Sequence, residues 1–119
     1  MNQKIINFRD LNIWQLGKTI AKEVYCMTKK FPSSEMYGLQ SQMRRAAISI
    51  ASNIAEGFNR YHNKEYRQFL FIALGSCAEL ETQLEIAHDV GLIGVEDLKS
   101  QIQQITSETK MIRSLIKKL

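Results

Sequence analysis

The first residues to consider for chemistry are a glutamate and a histidine one helical turn apart, Glu85 and His88. On a helix, this i, i+3 spacing is the one used by carboxylate-bridged di-iron bundles, where both side chains bind one metal ion. Such a centre needs a second Glu-x-x-His pair and further glutamates on facing helices. The only other histidine, His62, lies in a predicted loop. The sequence therefore predicts no metal site and a solvated His88.

Nucleophilic catalysis is also disfavoured. Cys77 and His88 are eleven residues apart on one predicted helix, which is about 16 Å at 1.5 Å per residue and too far for a thiolate–imidazole pair. The sequence has no glycine-rich phosphate loop, Walker motif or serine nucleophile elbow. We therefore expect no enzymatic activity and no cofactor.

Basic side chains are the remaining candidates for a functional surface. Residues 1–60 hold nine basic and four acidic side chains, whereas residues 61–119 hold seven and eight. Clustered lysines and arginines attract phosphate through counterion release, although exposed basic faces are often only solvated. The candidates for nucleic-acid binding are Lys18, Lys22, Arg44, Arg45, Arg60, Lys64, Arg67, Arg113 and Lys117.

A second set of polar residues is embedded in apolar stretches. Their helical spacing places them beside core positions, where buried polar groups need partners. We interpret them as a structural network that fixes helix register, rather than as a catalytic site. The members of this set are Ser49, Asn53, Glu56, Ser76 and Glu79.

The elements that carry these residues are four predicted helices. Apolar residues make up 45% of the chain and charged residues 24%, a composition typical of a folded domain. Three breaks, at 31–34, 56–59 and 91–94, separate stretches with a helical apolar period. Because short loops force neighbouring helices to run antiparallel, residues 1–119 are predicted to form one all-α domain, an antiparallel up-down-up-down four-helix bundle.

Local signals suggest where these helices begin and end. We predict that Asp10 caps the first helix and that Ser33 or Ser34 caps the second. Gly57 is predicted to end the second helix in a left-handed conformation, and Gly91 to end the third.

The second and third helices carry more apolar surface than one bundle can hide. Residues 69–74 are all apolar, and Ile48, Ala51 and Ala55 add a second apolar edge to the preceding helix. An exposed patch of that size is unusual on a monomer. The sequence therefore predicts self-association through these two helices; the alternative is a monomer with a wide, tight core.

Other features bear on location. Cys26 and Cys77 have no disulfide framework or zinc spacing around them, and we interpret them as small buried side chains in a reducing cytoplasm. No stretch approaches the roughly 20 apolar residues of a membrane span, and the first residues lack a signal-peptide core. We expect a cytoplasmic protein without membrane contact.

Four ordered runs carry a family resemblance: FRDLNIW at 8–14, FPSSEMYGL at 31–39, QMRRAAISIASNIAEG at 42–57 and ALGSCAELET at 73–82. Together they resemble the four-helix-bundle proteins encoded in intervening sequences of bacterial 23S ribosomal RNA genes. The resemblance implies a homopentamer and a distant likeness to the accessory variability determinant protein of diversity-generating retroelements, a basic pentameric bundle that binds nucleic acid and a reverse transcriptase. Members are often labelled ribosomal proteins, but that label reflects gene location.

Carried over by position, the family motif singles out residues for two roles. It implies internal packing for Asn53, Glu56, Ser76 and Glu79, and a subunit interface or phosphate contact for Arg44 and Arg45. We therefore expect a non-catalytic homo-oligomer that binds nucleic acid, with structured RNA favoured over DNA. The alternative is a protein-binding scaffold or accessory subunit without direct nucleic-acid contact.

Overall fold

Each helix of this protein carries an apolar stripe with a period of three to four residues. On the first helix, for example, the buried positions include Ile13, Ile20 and Val24, which fall on one face because 3.6 residues complete a turn. The computed structural model describes residues 4–119. Its helices are α1 (Asn12–Thr28), α2 (Leu39–Phe58), α3 (Asn63–Asp89) and α4 (Val95–Lys118), with 3₁₀ turns at Phe8–Asp10 and Ser33–Glu35.

The helices close into a ring of neighbours around one core. α1 packs on α2, α2 on α3, α3 on α4, and α4 back on α1. All regular structure within residues 4–119 is helical, so the predicted all-α, up-down-up-down four-helix bundle is confirmed. The largest fully buried apolar side chains are Ile20, Val24, Met43, Ile50, Ile54, Leu70, Leu80, Leu84, Ile105 and Ile112.

The first two helices begin differently from the predictions. Asp10 ends the 3₁₀ turn that precedes α1, and α1 starts after Leu11 with no side-chain cap, so the predicted Asp10 cap is wrong. Ser33 lies in the second 3₁₀ turn, several residues before α2. There the Glu35 Oε1 accepts from the Leu39 amide at 3.4 Å. Neither serine caps α2, because Pro32 is followed by a 3₁₀ turn rather than by the helix itself.

Two glycines at helix ends behave differently. Gly91, just past α3, has a φ of 82° and is the only residue with positive φ in the described range, which confirms the predicted stop. Gly57 instead lies inside the last turn of α2, so its predicted left-handed stop is wrong. A Cβ on Gly57 would lie 2.8 Å from the Phe69 Cβ and 3.2 Å from the Tyr66 carbonyl oxygen. The glycine lets α2 and α3 approach closely.

The apolar surplus of α2 and α3 stays partly exposed in the single chain. Leu70 and Ala73 are buried, whereas Phe71 and Ile72 keep 56% and 51% of their surface exposed, and Ile48 keeps 43%. The run 69–74 therefore turns apolar side chains both into the core and away from it. We call the exposed side chains of Phe71, Ile72 and Ile86, the last at 47% exposure, the apolar face.

Two further predictions concern the burial of the cysteines and the lack of membrane spans. Cys77 is buried, but Cys26 is exposed, which corrects the prediction that both are buried; Cys26 falls outside the α1 stripe. Among residues 4–119, no helix has the length and hydropathy that crossing a bilayer requires.

Candidate nucleic-acid interface

The bundle topology brings basic residues from three separate segments to one end of the molecule. This end combines the start of α1, the turn between α2 and α3, and the end of α4. Arg67 Nη1 donates to the Leu119 carbonyl oxygen, which joins α3 to the end of α4. The start of α1 and the end of α4 line a common groove, whose residues include Leu11, Lys110 and Lys118. We call this region the basic end.

Charge is distributed unevenly between the basic end and the rest of the chain. The segments 4–16, 56–67 and 110–119 hold nine of the sixteen basic side chains but only three of the twelve acidic ones. The remaining segments hold seven basic and nine acidic residues. A concentrated positive field of this kind steers anions toward one face of a protein. Five of the nine predicted nucleic-acid residues lie here: Arg60, Lys64, Arg67, Arg113 and Lys117.

These five residues differ in how far the bundle already uses them. Arg60 bonds the Glu56 carboxylate at 3.0 Å and stacks over the Phe69 ring at 4.7 Å. Arg67 is half-buried and holds the end of α4. Lys64, Arg113 and Lys117 are exposed, and in the described part of the chain none of them forms an ion pair. Of the five predicted residues, these three have side chains available to contact phosphate.

The other four predicted residues lie outside the three segments of the basic end. Lys18 and Lys22 are exposed along α1, where the Lys18 ammonium lies 5.5 Å from the Trp14 ring centre. Arg44 is committed to the fold: its Nε donates to the Thr28 Oγ1 at 2.8 Å, and its guanidinium stacks on the Tyr25 ring at 4.4 Å.

Arg45 lies one residue further along α2 and points elsewhere. It is exposed and lines a shallow polar pocket with Gln42, Ser49 and Glu79. The two arginines that the family motif pairs therefore have different surroundings, one holding α1 to α2 and the other facing solvent.

The predicted structural network is smaller than expected. The Ser76 hydroxyl donates to the Ser49 Oγ at 2.9 Å, and the Asn53 Nδ2 donates to the same oxygen at 2.8 Å, which joins α2 to α3. Glu56 is exposed and pairs with Arg60 instead. Glu79 is also exposed and forms no hydrogen bond among residues 4–119. Glu56 shares the helical phase of Ser49 but lies two turns further along α2, where Arg60 is its partner.

Glu85 and His88, the pair considered as metal ligands from the sequence, lie in the last two turns of α3. His88 Nδ1 lies 3.7 Å from the Asp89 carboxylate, and Glu85 is exposed. In the part of the chain that the structure describes, no three His, Cys, Asp or Glu side chains are grouped to hold a metal ion.

One polar group that the sequence interpretation missed lies in the core. Glu108 is fully buried in the middle of α4, and burial raises the pKa of its carboxyl to about 8. The signal was present in the apolar stripe of α4, which passes from Ile105 to Ile112 with no apolar residue between them on that face. Position 108 fills the gap.

The fold and the charge distribution together define a class: an all-α bundle with one strongly basic end and an exposed apolar face. Within that class, the family model described as 23S rRNA-intervening sequence protein matches residues 9–114. The chain belongs to this family, as its sequence motifs indicated.

A solved structure similar to this one supports the fold. It is the crystal structure of a protein with unknown function from the S23 ribosomal protein family of Bacteroides thetaiotaomicron. The two superpose with a TM-score of 0.82 at 24% sequence identity, over 88% of this chain and 98% of that one. At this identity the likeness establishes the architecture only. No curated protein matches the chain.

Proposed function

We propose that this chain is a non-catalytic, homo-oligomeric bundle protein that binds nucleic acid, with structured RNA preferred, through its basic end. The observation that carries the proposal is the grouping of nine basic and three acidic residues at one end of the bundle. Phosphate groups bind such surfaces because neutralising them releases condensed counterions. The family's connection with ribosomal RNA genes is consistent with an RNA ligand.

Self-association would multiply this surface. Phe71, Ile72 and Ile86 leave apolar area on the outer side of α3, and burying it between copies would be favourable. The basic ends of the copies would then line one side of the assembly, so several weak phosphate sites would act together. A homopentamer, implied by the family resemblance, is the assembly we favour, and the free thiols Cys26 and Cys77 suit a reducing cytoplasm.

The test is a salt titration of RNA binding with charge-reversed variants. We expect Lys64→Glu, Arg113→Glu and Lys117→Glu together to weaken binding of a structured RNA and to lower the salt slope by about one per lost phosphate contact. The matched control reverses Lys29, Lys30 and Lys99, which are exposed at the opposite end. It makes the same change in net charge and should retain most of the affinity.

Two results would count against this proposal. One is the absence of binding to RNA at low ionic strength by the unmodified protein. The other is an equal loss of affinity in both triple variants, which would indicate a response to net charge alone. A separate Lys18→Glu, Lys22→Glu variant reports whether the α1 surface takes part, and duplex DNA as competitor separates RNA from DNA.

The apolar face favours one alternative, a protein-binding scaffold or accessory subunit without nucleic-acid contact. Exposed Phe71 and Ile72 suit a protein partner as well as a second copy. A purified assembly that retains a protein partner after nuclease treatment, and that does not bind RNA, would support this alternative over the first.

A further inference from the structure

Glu108 is the least expected side chain of the core. It lies at the middle of α4 with no exposed surface, and neither of its carboxyl oxygens has a hydrogen-bond partner among the described residues. The facing position on α1 is Gly17, where an added Cβ would lie 2.9 Å from the Glu108 Oε2. The bundle therefore makes room for this carboxyl without providing a donor for it.

No basic side chain of residues 4–119 forms an ion pair with Glu108. α1 contributes Glu23 further along its length, α2 contributes the apolar Ile50 and Ala51 beside Gly17, and α3 contributes Cys77. Burial is the main cause that raises the pKa of the Cys77 thiol to about 12, and the nearby carboxylates of Glu108 and Glu81 raise it further. A buried carboxylate without cation or donor is costly, so the carboxyl is kept neutral.

Two side-chain amides of α4, those of Gln101 and Gln104, have an acceptor for their N–H groups but no donor for their oxygens. Gln101 and Gln104 both donate through Nε2 to the Glu23 Oε1, at 2.8 and 2.7 Å. Their own buried Oε1 atoms, like that of Gln83 on α3, have no partner in the described chain. Gln104 lies four residues before Glu108, so the two side chains are neighbours on one helix face.

We propose that α4 is a pH-sensitive element of the bundle, whose packing against α1 and α3 depends on the proton carried by Glu108. When that carboxyl ionises, α4 loosens, because the charge must reach water or a cation. The inference is independent of nucleic-acid binding.

The direction of the pH dependence follows from the two states of the chain. Burial raises the pKa of Glu108 to about 8 from an ordinary value of 4.5, which the unfolded chain retains. Between these values the folded state holds one proton more than the unfolded state. The contribution to stability is therefore complete below pH 4.5, declines as the pH rises, and is lost as the pH passes about 8.

Hydrogen exchange of the full-length protein tests the proposal. After correction for intrinsic exchange, we expect α4 peptides to lose about tenfold in protection one pH unit above the Glu108 pKa, relative to one unit below. Glu108→Gln is isosteric and uncharged, so its α4 should keep the same protection across this range. Glu96→Gln, an exposed change on the same helix, should behave as the unmodified protein.

A second measurement covers the case in which Glu108→Gln does not fold. The ¹³C shift of the Glu108 carboxyl, followed in the unmodified protein, reports its titration directly. A midpoint above neutrality accompanied by loss of α4 protection supports the proposal. A midpoint in the ordinary carboxyl range, or equal α4 protection in the unmodified protein on both sides of the midpoint, overturns it.

Discussion

Two glycines of this bundle have opposite surroundings, so a single methyl group at each would have opposite effects. Gly57 faces α3, where an added Cβ would meet the Phe69 Cβ at 2.8 Å and the Tyr66 Cδ1 at 3.0 Å. Gly75, on the outer side of α3, has no atom within 4 Å of that position. Within one chain, the first glycine permits contact between helices, and the second has open space beside it.

We therefore predict that Gly57→Ala lowers the free energy of unfolding by about 1–3 kcal/mol through overpacking. Gly75→Ala is the control and should raise it by about 0.5–1 kcal/mol, because alanine is the better helix residue. Urea denaturation followed by circular dichroism measures both. Equal effects of the two substitutions would contradict the close approach of α2 and α3 at Gly57. If copies meet at Gly75, its substitution should instead reduce their association.

At the scale of the helices, one side-chain contact joins α1 to α2. The buried Thr28 hydroxyl donates to the Val24 carbonyl oxygen at 2.7 Å and accepts from the Arg44 Nε at 2.8 Å. Arg44 Nη2 also reaches the Tyr25 carbonyl oxygen at 3.4 Å. The contact places a guanidinium across the helix pair close to the end of α1.

Removing the Thr28 hydroxyl should weaken this junction. We predict that Thr28→Val, which preserves shape, costs about 1–2 kcal/mol of unfolding free energy, since Arg44 loses its acceptor in a half-buried setting. Thr19→Val is the matched control, because the Thr19 hydroxyl bonds only to the Gln15 carbonyl oxygen within α1. Thermal unfolding of both variants compares them. A Thr28→Val loss no greater than that of Thr19→Val would show that the bond to Arg44 adds no stability.

At the scale of the whole molecule, the basic end and the apolar face occupy different parts of the surface. The apolar face runs along the outer side of α3, whereas the basic end lies where α3 begins. Copies that meet through the apolar face would therefore leave their basic ends open. This separation is what allows assembly and nucleic-acid binding to be tested independently.

We predict that Phe71→Glu abolishes self-association at micromolar concentration while leaving helix content unchanged. Burying a phenylalanine is worth about 1.5–3 kcal/mol, which corresponds to roughly 10–100-fold in affinity for each interface. Val95→Glu is the control, since Val95 is 47% exposed at the start of α4, on a different helix from Phe71. Light scattering gives the mass of each variant. A monomeric unmodified protein, or a Phe71→Glu assembly of undiminished mass, would refute self-association through α3.

Much of the fold was accessible from the sequence because helices are local structures. A period of 3.6 residues is visible in any stretch of about ten residues, and Gly91 shows a break without reference to the rest of the chain. The helix starts were less accessible. Asp10 and Ser33 are both good caps, and whether a 3₁₀ turn intervenes depends on contacts that the local sequence does not contain.

The sequence by itself determined the number, order and core faces of the helices, the family, and the surplus of apolar surface on α3. Only the tertiary structure decided which charges act together. Lys64 and Lys117 are far apart along the chain yet share one end of the bundle, whereas Arg44 and Arg45 are adjacent and face different surroundings. It also placed Glu108 in the core. Helical period depends on neighbours in sequence, but electrostatics and burial depend on distances in space.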